Sequence, residues 1–65
     1  MATEIPVQIA LELPENQALA LAQFMKRVGW SEWRANAVDD SEAYVMGAAC
    51  AALRDALAAA GFAPR

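Results

Sequence analysis

Few residues in this 65-residue chain could do chemistry. The sequence contains no histidine, so no side chain has an unperturbed pKa suited to general base work near neutral pH. Cys50 is the single cysteine. It falls on the apolar stripe of a predicted helix, where a thiol packs. A reactive thiol needs an electropositive, accessible setting. One cysteine forms no disulfide within the chain, and without histidine there is no ligand set for structural zinc. Ser31 and Ser41 stand at predicted helix starts, where capping accounts for both, and neither has a base partner. Asp39, Asp40 and Glu42 are the densest carboxylates. A hard-cation site takes about six oxygens on a turned loop with a glycine, and that pattern is missing. The residue inventory therefore predicts no catalytic residue, no metal and no cofactor: a protein that is not an enzyme.

The same carboxylates admit two other roles. They suit the start of a helix, where the backbone dipole favours negative charge, and they form an anionic patch that a basic surface would meet. Trp30 and Trp33 lie in the preceding segment beside Glu32 and Arg34. Aromatic residues and arginine are the usual anchors of interfaces, although a small domain also uses tryptophan in its core. The predicted partner-binding set is Glu32, Trp33, Asp39, Asp40 and Glu42, with Trp33 as the anchor.

The elements that would position these residues follow from periodicity. Residues 3–13 alternate strictly, with Ile5, Val7, Ile9, Leu11 and Leu13 on one side and Glu4, Gln8, Ala10 and Glu12 on the other. A period of two predicts a half-buried strand, and Pro6 on the outward side marks it as an edge. The strand's partner is not evident. Pro14 suits a first helical position. Ala18, Leu21, Phe24, Met25 and Val28 repeat at helical spacing, which predicts a helix over 14–28. Gly29 stands at its C′ position, with Trp30 able to pack back. Residues 31–37 (SEWRANA) read as a short helix, with a strand at 33–38 as the alternative. Asp39 and Glu42 have capping-box spacing and open a helix over 40–60. Its stripe is Met46, Ala49, Cys50, Leu53, Ala56, Leu57 and Ala60, and Gly61 ends it. The predicted class is α+β, mostly helical: one strand followed by a helix, a short helix and a long helix, in one domain spanning 1–65.

The formal net charge is −3. Phosphate contacts supply most non-specific affinity for nucleic acid, so an acidic surface disfavours direct nucleic-acid binding and suits a basic protein partner. No apolar run approaches the roughly 20 residues that span a bilayer, and no basic segment precedes an apolar stretch as in a signal peptide. With a single thiol, which fits a reducing compartment, the expected location is cytoplasmic, without a membrane partner. A monomer or weak homodimer is expected.

Two families share features with this chain. The order strand, helix, helix resembles the ribbon-helix-helix repressors, in which paired strands enter the DNA major groove. Here that face would carry Glu4, Gln8 and Glu12, and its acidity contradicts the activity. From Leu11 to Arg65, above all in Ala37–Tyr44 (AVDDSEAY), the chain resembles small acidic anti-CRISPR proteins of Pseudomonas mobile elements directed at type I-C systems. That resemblance implies an inhibitor of the Cascade surveillance complex, a DNA mimic occupying the basic surface of a Cascade subunit that receives PAM duplex DNA. It supplies no motif from which site residues can be carried over, so the set above rests on charge and aromatic placement. A dimeric regulator of ribbon-helix-helix type, or a toxin-neutralising accessory protein, is the alternative.

Overall fold

The computed structural model describes residues 5–62. They form three helices, α1 (Glu15–Arg27), α2 (Trp30–Asn36) and α3 (Asp40–Ala59). Both α1 and α2 pack against α3.

α1 begins at Glu15; Pro14, expected at the first helical position, is instead its N-cap, with φ −55° and a non-helical ψ of 152°. The Pro14 carbonyl accepts from the backbone N–H groups of Gln17 and Ala18, both at 3.0 Å. Glu15 occupies the first turn and Lys26 and Arg27 the last, each sign matched to its end of the helix dipole. Ala18, Ala22 and Met25, at helical spacing, are the buried face. With Leu57 of α3 they make the core, and Leu13, Leu21, Val28, Cys50, Leu53 and Phe62 pack around it. The fully enclosed side chains are small: Ala22 and Ala43 are completely covered, and no large side chain is. Alanine at these positions lets helices approach closely, but each contributes little buried apolar area.

The two glycines at helix ends behave differently. After α3, Gly61 has φ +97°, a region that carries little penalty only for glycine. The Phe62 N–H donates to the Leu57 carbonyl at 2.8 Å and the Gly61 N–H to the Ala58 carbonyl at 3.0 Å. This is a Schellman closure, and it brings Phe62 onto the core beside Leu57. After α1, Gly29 stays extended at φ −153° and acts as the N-cap of α2. The expected return of Trp30 onto α1 is therefore not made. Trp30 begins α2 and its ring meets Tyr44 of α3.

The α+β expectation is overturned. No strand occurs among the described residues, and the N-terminal strand expected over 3–13 is absent from 5–13, with residues 3 and 4 outside the described range. Alternation specifies which side chains share a face, but a strand also needs a second backbone to bond to. The only other candidate segment, 33–38, is largely consumed by α2. Residues 5–13 therefore carry no ladder, and Ile5, Val7 and Ile9 are 85%, 80% and 83% exposed. Among the described residues, no helix is long and apolar enough to cross a membrane.

Candidate functional site

The corner between α2 and α3 gathers the carboxylates. Asp39 is the N-cap of α3, and its Oδ1 accepts from the Glu42 backbone N–H at 2.9 Å. Glu42 reaches back, but its Oε1 accepts from the Val38 N–H at 2.7 Å, one residue earlier than the reciprocal partner of a capping box. Glu32, at the third position of α2, caps the start of that helix, its Oε1 accepting from the N–H of the N-cap residue Gly29 at 2.6 Å. Asp40 pairs with Arg34, Oδ1 to Nε at 2.6 Å. Arg34 also donates through Nη1 to the Ala37 carbonyl at 3.2 Å, tying the end of α2 to the start of α3. The Arg34–Asp40 pair is exposed on both sides, and such pairs contribute less than about 1 kcal/mol.

All four carboxylates thus have local partners and also remain exposed. A hydrogen bond to a backbone N–H leaves the charge of a carboxylate in place. Residues 29–44 hold four acids and one arginine, while the other four acids and four bases of the chain cancel. The entire formal charge of −3 therefore belongs to this segment.

The structure divides the tryptophans. Trp33 is half-buried and faces α3, where a Cβ added to Gly47 would stand 2.8 Å from its Cζ3. Its Nε1 is buried without a hydrogen-bond partner. Trp30 is exposed and packs against Tyr44, with ring centroids 4.8 Å apart and planes inclined at 45°. The expected anchor, Trp33, is thus turned towards α3, and the exposed aromatics at this corner are Trp30 and Tyr44. The signal for Tyr44 lay in its spacing, four residues after Asp40 and so on the same helical face.

A second feature is a groove of about 660 Å³, lined by Ile9, Leu11 and Leu13 of the N-terminal segment and by residues of α1, α3 and Phe62. All its lining residues are apolar, so it offers no side-chain group for acid–base or nucleophilic work. Among the described residues no three His, Cys, Asp or Glu side chains are grouped to hold a metal ion.

The whole chain, residues 1–65, matches a family of unknown function, DUF7706. The chain belongs to that family. No curated protein matches it, and no solved structure does.

Proposed function

We propose that this member of DUF7706 is a non-catalytic binding domain that presents its α2–α3 corner to a basic protein surface. The observation that carries this reading is the confinement of the whole net charge to residues 29–44. The capping bonds hold Glu32, Asp39 and Glu42 in fixed positions, so little side-chain freedom is lost on binding. Trp30 and Tyr44 add exposed aromatic surface to α2 and α3. Charge of this kind steers association and selects the partner. The target implied by the sequence resemblance is the PAM-reading surface of type I-C Cascade, where a compact anion would compete with duplex DNA.

The test is binding of the full chain to purified type I-C Cascade, with PAM duplex as competitor. A variant carrying Glu32→Gln, Asp39→Asn, Asp40→Asn and Glu42→Gln keeps the carbonyl oxygens that accept the capping bonds and removes four negative charges. The expected result is mutually exclusive binding of protein and DNA, with association at least about tenfold slower for the carboxamide variant. Absence of binding by the wild-type chain sinks the Cascade assignment. Equal association by both proteins sinks the acidic corner.

A further inference from the structure

Four residues along the seam between α2 and α3 make an arrangement that neither helix shows alone. Trp30 and Arg34 are four apart on α2, and Asp40 and Tyr44 are four apart on α3, so each pair shares one face of its helix. The two faces meet. Trp30 packs on Tyr44, ring centroids 4.8 Å apart, and Arg34 pairs with Asp40, Nε to Oδ1 at 2.6 Å. An aromatic pair and an ion pair therefore stand about one helical turn apart on an exposed seam.

Each pair has an unused side. Tyr44 is 69% exposed and Trp30 41%. Their rings, inclined at 45°, do not cover each other face to face, so aromatic face is left to solvent. Arg34 is anchored through Nε to Asp40 and through Nη1 to the Ala37 carbonyl, which commits its guanidinium to the connection between the helices. Among the described residues Asp40 is bonded through Oδ1 alone. Its side chain is 72% exposed, so Oδ2 is open to a donor from outside the chain.

The seam thus offers a ring face near a free carboxylate oxygen. A guanidinium takes both at once: its plane stacks on an aromatic ring while its edge donates to a carboxylate. A lysine ammonium is compact and strongly hydrated, and it gains less from the same pair of groups. An apolar side chain would cover the rings but would also bury the Asp40 charge, which is unfavourable. The surplus negative charge of residues 29–44 draws a cation to this seam and repels an anion.

We infer that the seam seats an arginine of the partner, with the guanidinium stacked on the Trp30–Tyr44 pair and donating to Asp40. This rests on the reading of the α2–α3 corner as the face that meets a basic protein, and it names the side chain taken there.

The test titrates the full chain with nona-arginine and with nona-lysine, equal in charge and at one ionic strength, and follows the two indole N–H resonances by NMR. An acidic corner attracts both peptides. The expected result is an affinity about three- to tenfold higher for nona-arginine, with the Trp30 indole responding more than that of Trp33, whose Nε1 is buried. Most of that advantage should be lost in the double variant Trp30→Leu, Tyr44→Leu, checked for folding by helical circular dichroism. Equal affinity of the wild-type chain for both peptides overturns the inference and leaves the acidic corner standing. So does an arginine preference that persists in the folded double variant. Binding of neither peptide removes the corner reading and the inference with it. If the double variant does not fold, the wild-type affinity ratio and the response of the Trp30 indole decide between these outcomes.

Discussion

Substituting Gly47 by alanine sets two effects of known sign against each other. Gly47 lies inside α3, where alanine is favoured over glycine by about 0.8–1 kcal/mol on helix propensity. The added Cβ, however, would stand 2.8 Å from Cζ3 and 3.0 Å from Cε3 of Trp33, well inside van der Waals contact. The indole is a rigid plane, so relief requires moving the ring or shifting α2 away from α3. Overpacking of this kind costs about 1–3 kcal/mol. The net expectation is destabilisation of up to about 2 kcal/mol. In a domain of this size each 1 kcal/mol lowers Tm by about 4–8 °C. The control is Trp33→Phe, which removes the benzo portion of the indole that causes the clash, and removes the buried Nε1 that lacks a partner. In that background Gly47→Ala should be stabilising by about 1 kcal/mol, giving a coupling of about 1–3 kcal/mol between the two sites. Thermal and urea unfolding of the four proteins at one fixed concentration, followed by circular dichroism, measures the cycle. If Gly47→Ala alone raises Tm, the packing of Trp33 onto α3 is not as described and the reasoning fails.

Two further substitutions test the helix ends by the same unfolding assay. Asp39→Ala removes the side-chain oxygen that accepts from Glu42 and should cost about 1 kcal/mol, with Asp39→Asn close to neutral; equal losses for both would mean that charge, not capping, matters there. Gly61→Ala forces an alanine to φ +97° and should cost about 1–2 kcal/mol although no atom stands within 4 Å of its added Cβ; a neutral result would mean that the Schellman closure contributes little to the docking of Phe62.

How much of this was legible in the sequence depends on the range of the interaction involved. Local chemistry sets the helices: the spacing predicts helices over 14–28, 31–37 and 40–60, and they occur at Glu15–Arg27, Trp30–Asn36 and Asp40–Ala59. Asp39, Glu42 and Gly61 act on neighbours three to five residues away, so their roles can be read without knowing the fold. The confinement of the net charge to 29–44 is likewise a property of residue order alone. Tertiary structure decided the rest. Periodicity could not say whether residues 5–13 would find a second backbone, because ladder bonds form between segments and not within one. It could not separate Trp30 from Trp33, three residues apart on one short helix, because their exposure depends on how α2 lies across α3. Gly29 follows α1 as Gly61 follows α3, yet only Gly61 adopts positive φ. The chain beyond Gly29 begins another helix at once, and the direction of that helix is set by its packing against α3.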